Sequence, residues 1–403
     1  MVPYFVTCAR GLEPVLAGEL VALGGADVQP GRGGVWVRGD TTLLYRASLW
    51  LRTAVRILRP VFEGPVRSTD ELYDAVRTID WFDFLTPDHT LAVDCNVRDS
   101  AITHSQYASR RVKDAICDQF RDRTGRRPSV DTEQPMIGLN LHVFRNHATL
   151  SLDASWDSLH KRGYRPVQTR APLNEALAAG LLLHAGWNPD TPLVDPLCGS
   201  GTFCIEGSWL ALDRPPGLTR KWFSFQGWPD FDRGLWAAVR EDARLGVRPQ
   251  LPATVLGTDG RTDAVEFARG NARAAGVGNL VRFERQDVRD ARPPAGPPGT
   301  IVCNPPYGER IGEEAELVGL YRTLGDVFGT HWRGWRVLMF TGNDRLAAEV
   351  GLPVRESTPF FNGKIPCRLW EFEANGATRV RRSGWQVPGA PPVCDRSIRG
   401  SGK

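Results

Sequence analysis

An α/β fold is what this sequence predicts, and three observations predict it. Four strand-like runs in the C-terminal half, starting at Leu193, Val255, Leu280 and Ile301, lead into polar end residues: Asp195, Asp259, Asp287 and Asn304. Between them lie stretches such as Phe203 to Leu212 and Ala264 to Ala275, with apolar residues at helical spacing. Nearer the N-terminus, Leu91, Val93, Cys95 and Val97 alternate as in a strand and run into a helical pattern.

In chain order, residues 1–59 form a first unit with a strand, a helix from Glu13 to Leu23, a strand at Val35 to Val37 and a helix from Thr42 to Leu58. Residues 60–164 form a second. Its strand at Leu91 to Val97 precedes a helix on which Ala108, Val112, Ala115, Ile116 and Phe120 share one face. Two alternating runs, Leu139 to Val143 and Ala148 to Leu152, then read as a hairpin turning at Arg145-Asn146-His147. A third unit, residues 165–376, opens with a helix from Leu173 to Ala185. The stretch 214–248 carries Trp222, Phe223, Phe225, Trp228, Phe231 and Trp236 and is too long for a simple crossover. It reads as a small helical insertion with its own aromatic core rather than a base-stacking platform. Arg336 to Phe340 suits a buried strand, and Asn362-Gly363 suits a turn in a hairpin at the sheet's antiparallel edge. The tail, 377–403, has six Lys or Arg against one Asp and several prolines, a composition that favours flexibility.

With 403 residues, 41% hydrophobic and 24% charged, the chain has the composition of an ordinary globular protein with room for two or three domains. It contains no apolar stretch long enough to span a membrane, and no basic flank leading into an apolar run at its start, so a cytoplasmic location is expected. The eight cysteines are scattered, with no Cys-x-x-Cys pair, which argues against a zinc site or a disulfide framework and for no metal. Cys303, next to the most chemistry-like turn, reads as a core residue.

That turn is Asn304-Pro305-Pro306-Tyr307. The prolines restrict the backbone, so the Asn304 side chain, the Pro305 carbonyl and the Tyr307 ring form a rigid set of acceptors and a flat surface. Such a set suits the exocyclic amine of a planar base. Upstream, Asp195-Pro196-Leu197-Cys198-Gly199-Ser200-Gly201-Thr202 joins a strand to a helix through glycines, which let the backbone approach a ligand beside the helix N-terminus. It lacks both the Lys of a phosphate-gripping loop and the third glycine of a dinucleotide fingerprint. An acid at the strand end suits a ligand bearing an amino group, and S-adenosylmethionine fits. Asp259 can accept both ribose hydroxyls and Asp287 the adenine amine, in the order expected of successive strand ends.

These residues carry a resemblance. The chain is similar to the class I S-adenosylmethionine-dependent methyltransferases, and within them to the THUMP-domain RNA guanine-N2 methyltransferases of the RlmL 23S ribosomal RNA type. The matching stretches are Tyr4 to Glu13, Arg162 to Arg165, Ala171 to Glu175, Asp195 to Thr202, Asn304 to Gly312 and Phe361 to Leu369. The resemblance implies a Rossmann-like seven-stranded methyltransferase domain preceded by a ferredoxin-like piece and a THUMP α/β module that binds RNA. It implies a cofactor site of Pro172, Leu173, Asp195, Leu197, Cys198, Gly199, Ser200, Gly201, Thr202, Asp259, Gly260, Gln286, Asp287, Val288 and Asn304. It places catalysis on Asn304, Pro305, Pro306 and Tyr307, with S-adenosylhomocysteine as the by-product. Relatives often follow the ribose acid with an apolar residue and a second acid. Here Gly260 and Arg261 stand instead, so the ribose contact falls to Asp259 alone. Some RlmL-type proteins continue into a second, RlmK-type methyltransferase domain; this sequence ends soon after the hairpin, so that activity is expected to be absent or on another chain.

The net charge is only +4, yet residues 98–127 hold eight Lys or Arg against four Asp. Beside a base-modifying pocket, that local excess points to a phosphate backbone. The candidates for RNA contact are Arg98, Arg110, Lys113, Arg121, Arg123, Arg126 and Arg127, with Phe361 and Lys364 on the hairpin and the tail as an accessory. The partner expected is RNA, 23S rRNA ahead of tRNA, and the chain is expected to be a monomer. DNA adenine-N6 methylation would use the same turn, and a non-enzymatic RNA-binding factor would keep the basic module without the chemistry.

Overall fold

The computed structural model of the chain describes residues 1–165, 173–308 and 313–374. Pro172 and the basic tail lie outside the described residues. The first sheet opens with β1 (Val2–Cys8), whose Tyr4, Val6 and Cys8 are buried while their neighbours are not, the period of a strand with one core face. Then come α1 (Glu13–Ala22), β2 (Ala26–Gly31), β3 (Gly34–Gly39) and α2 (Thr41–Trp50), which Asp40 caps by accepting from the Leu43 N–H at 2.9 Å.

Here the structure corrects the sequence reading. The helix stops at Trp50, and Ala54–Pro65 is a twelve-residue strand, β4, instead of a helical continuation to Leu58. Helical spacing carried through Leu51, but Val55 and Ile57 alternate with Arg56, and β4 pairs with β1 on one side and the strand His147–Asp153 on the other. Those partners are far away in sequence, so a local pattern does not reveal them.

The sheet continues through α3 (Thr69–Arg77), β5 (Thr90–Arg98), α4 (Ser105–Thr124), β6 (Ser129–Val130), β7 (Ile137–Phe144) and β8 (His147–Asp153), in the order β2-β3-β1-β4-β8-β7-β5-β6. Arg145 and Asn146 make the two-residue β7–β8 turn with φ of 51° and 61°, which matches the twist of a hairpin. β4 runs unbroken past residue 59, so one strand serves both N-terminal units.

After α5 (Glu175–His184) the second sheet is built from β9 (Leu193–Asp195), β10 (Val255–Asp259), β11 (Arg282–Arg285), β12 (Thr300–Cys303), β13 (Arg336–Thr341), β14 (Val354–Asn362) and β15 (Ile365–Glu373). The helices between are α6 (Thr202–Ala211), α7 (Arg233–Leu245), α8 (Thr262–Ala274), α9 (Glu313–His331) and α10 (Asp344–Ala348). The strand order is β11-β10-β9-β12-β13-β15-β14, with the first five parallel, β15 running against them and β14 antiparallel to β15. Leu193, Val255, Val302 and Leu338 enter one apolar core, and Val194, Leu256, Ile301 and Met339 the other. Both faces are therefore covered, as parallel strands require. The β14–β15 turn is also a correction: Asn362 pairs with Ile365, so the two turn residues are Gly363, at φ 61°, and Lys364, not Asn362 and Gly363.

The aromatic stretch after α6 packs on itself, with Phe223, Phe225, Phe231 and Trp236 in mutual ring contact, but that cluster is shared with the first sheet's α2 and not closed. Phe225, Phe231 and Trp236 gather round Tyr45 of α2, with ring centroids 4.9, 6.0 and 5.4 Å away, and Phe223 stacks on Phe225. The segment is mortar between the two sheets. Beneath it, Arg162 lies 3.6 Å from Glu206 with both side chains buried, and the Tyr164 hydroxyl donates to Glu206 at 3.0 Å. Arg52 donates to the Trp209 carbonyl at 3.2 Å, while Glu19 accepts from the Arg52 N–H at 2.7 Å. Removing one member of such a buried pair costs about 3–5 kcal/mol, because its partner stays charged and dry. This network pins the N-terminal sheet to α6, the helix that begins at the glycine loop.

Candidate functional site

β9 lies between β10 and β12, so the chain leaves it toward opposite sides of the sheet and a crevice opens at the carboxyl ends of these strands. Asp195, Asp259 and Asn304 stand at those ends. The structure thus brings together three residues from a stretch of more than a hundred positions.

Asp195 is buried, accepts from the Leu197 N–H at 3.1 Å, and has no cation beside it among the described residues. Burial pushes its carboxyl well above the usual carboxylate range; the Leu197 N–H opposes this and Asp259 adds to it. In the loop that follows, Gly199 and Gly201 have φ of 50° and 81°. A Cβ at Gly201 would sit 2.9 Å from the Phe283 ring, so only glycine fits there without displacing the neighbouring strand. The Gly199 N–H donates to Asp259 Oδ2 at 3.0 Å and Asn271 Nδ2 to the Ser200 carbonyl at 3.0 Å, which fixes the loop's path. Cys198 and Thr202 are buried under it, and Leu197 is half-buried. Helix α6 starts with no side-chain cap, leaving N–H groups turned to the crevice. The Thr258 hydroxyl is buried with no hydrogen-bond partner among the described residues.

The other predicted cofactor residues fall round this crevice with different surroundings. Asp259 Oδ1 accepts from the Arg261 N–H at 2.9 Å, so both carboxylate oxygens are already oriented by backbone. Gly260 has open space beside it, and the Gln286 N–H is held by the Asp259 carbonyl at 3.0 Å. Asp287 grips Arg289 through both oxygens, at 2.9 and 2.6 Å, and this holds its carboxyl down to about 2. Val288 packs into the core. Leu173 is buried, and its carbonyl accepts from Arg165 Nη2 at 2.6 Å; the same guanidinium reaches Thr202 Oγ1 and lies 3.5 Å from Glu175. Sequence reading assigned Arg165 no role, because its link to the loop is spatial.

Across the crevice, Asn304 follows the fully buried Cys303, whose thiol burial pushes far above its ordinary value. Asn304 Oδ1 is buried with no hydrogen-bond partner among the described residues. An unpaired buried acceptor costs about 1–3 kcal/mol. Pro305 is buried and Pro306 exposed. Tyr307 is held on several sides: its ring lies 3.1 Å from where a Cβ on Gly342 would be, its hydroxyl accepts from Asn362 Nδ2 at 3.3 Å, and it also reaches the Cys367 thiol. Asn362, read from sequence as a turn residue, is instead the clamp on that ring.

The basic helix is a different matter. Arg121 pairs with Asp118 at 2.6 Å, Arg123 with Asp80 at 2.9 Å, Arg98 with Asp99 at 3.6 Å, Lys113 with Asp114 and Arg126 with Asp88. Asp80 and Asp88 come from before the strand that precedes the helix, where a count along the helix does not see them. Arg110 and Arg127 are exposed and have no acidic partner among the described residues. Phe361 is half-buried and Lys364 exposed at the tip of the β14–β15 hairpin, in the second sheet, whereas α4 packs on the first. Among the described residues no cluster of His, Cys, Asp and Glu is placed to hold a metal, and no helix is long and apolar enough to cross a membrane.

Comparison with known proteins places this geometry. Residues 162–371 match the RMKL-like methyltransferase domain, residues 66–153 the THUMP domain and residues 3–58 the RlmL ferredoxin-like domain. The Ribosomal RNA large subunit methyltransferase K/L of Syntrophotalea carbinolica is 45% identical over 97% of this chain and 56% of its own length, so this chain spans about half of that relative. A Synechocystis protein named as a candidate RNA methyltransferase is 43% identical over 92% of this chain and 96% of its own. Among solved structures, one assigned to the methyltransferases and complexed with S-adenosylhomocysteine is 30% identical, with a TM-score of 0.84 over 92% of this chain and 98% of that one. A Listeria monocytogenes protein assigned by prediction as an N6-adenine-specific DNA methylase is also 30% identical, with a TM-score of 0.82 over 92% of this chain and 96% of that one. The chain belongs to the RMKL-like methyltransferase family, and its cofactor is S-adenosylmethionine. The crevice fits that cofactor: a buried carboxyl with no cation beside it among the described residues, and a loop that turns on two glycines, suit a ligand bearing ammonium and sulfonium groups.

Proposed function

We propose that this member of the RMKL-like methyltransferase family methylates the exocyclic N2 amine of a guanosine in RNA, with 23S rRNA as the substrate and the cytoplasm as its place of action. The observation that carries the proposal is Asn304 Oδ1, buried at the crevice and unpaired among the described residues. A carbonyl in that state is matched by a donor that arrives with the substrate, and an amine N–H is such a donor. Bound S-adenosylmethionine supplies an electrophilic methyl whose carbon–sulfur bond breaks as the new carbon–nitrogen bond forms.

The chain's own residues do the rest by positioning. Asn304 Oδ1 and the Pro305 carbonyl accept hydrogen bonds from the two amine N–H groups, which draws nitrogen electron density out of the ring and toward the methyl. Tyr307, immobilised by Gly342 and Asn362, offers a face to the base in place of the stacking lost when the nucleotide turns out of its helix. Cys303 stays a protonated core thiol and takes no part. After transfer the nitrogen gives one proton to solvent. Rate then comes from holding the amine in line, an effect of proximity and orientation. Asp195 takes the amino group, Asp259 the ribose and Asp287 the adenine side of the cofactor. The THUMP match, together with Arg110, Arg127 and the paired arginines of α4, supports RNA as the macromolecule.

A second reading, adenine N6 in DNA, is favoured by the assignment of the Listeria protein and by a turn that serves either amine. Labelled methyl transfer to naked 23S rRNA, tRNA and duplex DNA separates the two. Label in 23S rRNA is expected. Label confined to tRNA would move the substrate, and label in DNA would overturn the RNA reading.

A further inference from the structure

We infer that Arg10 and Phe361 form a phosphate subsite at the mouth of the crevice, through which the N-terminal unit positions the strand that carries the target base; this rests on the RNA reading above. Arg10 follows β1, and its guanidinium carbon lies 4.5 Å from the centroid of the Phe361 ring on β14. Phe361 immediately precedes Asn362, the residue that holds the Tyr307 hydroxyl. Neighbours at a strand end face opposite ways, so Asn362 turns to the tyrosine while Phe361 carries the arginine.

The approach is built, not accidental. Gly11 has a φ of 98°, and a Cβ on it would lie 2.9 Å from the Phe360 ring and 3.0 Å from the Pro359 carbonyl, so the loop touches β14 backbone to backbone. Glu13 fastens the loop by accepting from the Gly11 N–H at 2.7 Å and the Gly33 N–H at 2.9 Å. Leu12, wholly buried, sits against Gly180 of α5. Arg10 itself is exposed and, among the described residues, has neither an acidic partner nor a hydrogen bond.

Most arginines of α4 spend their N–H groups on aspartates. Arg10 keeps its fork free, and stacking on Phe361 fixes the plane of that fork without using its edges. A planar, pre-oriented guanidinium is the group that grips a phosphate through two parallel hydrogen bonds. Enzymes that act on an extruded nucleotide read its flanking neighbours, and this cation stacks on the residue next to the tyrosine's anchor. Arg10 is therefore a positioning residue: it touches the backbone, not the reacting amine. Lys364, exposed at the hairpin tip, extends the same positive edge.

The test uses the full chain with Arg10→Ala and Arg10→Lys. RNA affinity for transcribed 23S rRNA is measured across a series of KCl concentrations, alongside calorimetric affinity for S-adenosylhomocysteine, melting temperature, and KM and kcat for methyl transfer. For Arg10→Ala, RNA binding should weaken about tenfold and the slope of log affinity against log salt should fall by about one, the signature of one lost phosphate contact. The RNA KM should rise while cofactor affinity and melting temperature stay unchanged. Arg10→Lys should restore the salt slope. An unchanged slope in Arg10→Ala overturns the inference. So does a joint loss of melting temperature and cofactor affinity that Arg10→Lys leaves unrescued, because that is the behaviour of a packing residue. If the wild-type chain transfers no label to any RNA, the proposed function fails first and the inference fails with it.

Discussion

The crevice at the end of β9 and the basic face of α4 were both marked by short stretches of sequence, and they fare differently in three dimensions. At the crevice, residues from distant strands converge and leave polar atoms over: among the described residues, Asn304 Oδ1 and Thr258 Oγ1 are buried without partners, and Asp195 is buried without a cation. On α4, residues from distant elements converge and use the polar atoms up, with Asp80 and Asp88 reaching Arg123 and Arg126. A site prepared for a ligand is recognised by unpaid valences. A cluster of charge is no such signal until its neighbours are known.

The sharpest break between the two regions comes from Asn304. Asn304→Ala should lower methyl transfer by about 10²–10³-fold, the scale of losing one aligned hydrogen-bond partner of a reacting group. Calorimetric affinity for S-adenosylhomocysteine should stay within about twofold, and melting temperature should not fall, since the variant loses an acceptor that nothing in the protein satisfies. Matched losses of activity and cofactor affinity would place Asn304 with the cofactor and not the amine.

Asp195→Asn gives a smaller effect of mixed sign. Cofactor affinity should weaken by about tenfold, while the ligand-free protein should melt about 2–4 °C higher, the response to roughly 1 kcal/mol. The sign follows from burial: the folded carboxyl holds its proton more tightly than the unfolded one, so stability is lost as pH rises from the ordinary aspartate range through the raised value. The variant's advantage in melting temperature should therefore be larger at pH 8 than at pH 5. An advantage that is absent, or equal at both, would mean the carboxylate already has a partner.

The smallest effect lies on α4. Asp80→Ala releases Arg123, so RNA binding should strengthen by about twofold and steepen with falling salt, the scale of an exposed pair. Unchanged binding would remove Arg123 from the interface and leave Arg110 and Arg127 as its cations.

What the sequence made legible was whatever a strand end carries. Asp195, Asp259 and Asn304 stand where strand-then-turn patterns put them, since parallel strands present all their carboxyl ends to one side; Asp287 lies beyond the end of β11, as the cap of the turn Val288–Asp290. The reading failed where partners are distant. Ala54 to Leu58 joined β4 because β1 and β8 claim its edges. Phe225 and Trp236 packed on Tyr45 rather than on each other alone. Asn362 was visible as turn chemistry but belongs to the Tyr307 clamp, and Arg10 lay in a matching stretch with nothing local to show that it stacks on Phe361.

The most direct measurement is the identity of the methylated nucleoside. RNA methylated by the purified chain with labelled S-adenosylmethionine is digested to nucleosides and resolved by mass spectrometry. The account predicts N2-methylguanosine that disappears with Asn304→Ala. Label recovered as N6-methyladenosine, or N2-methylguanosine formed undiminished by the variant, would contradict it.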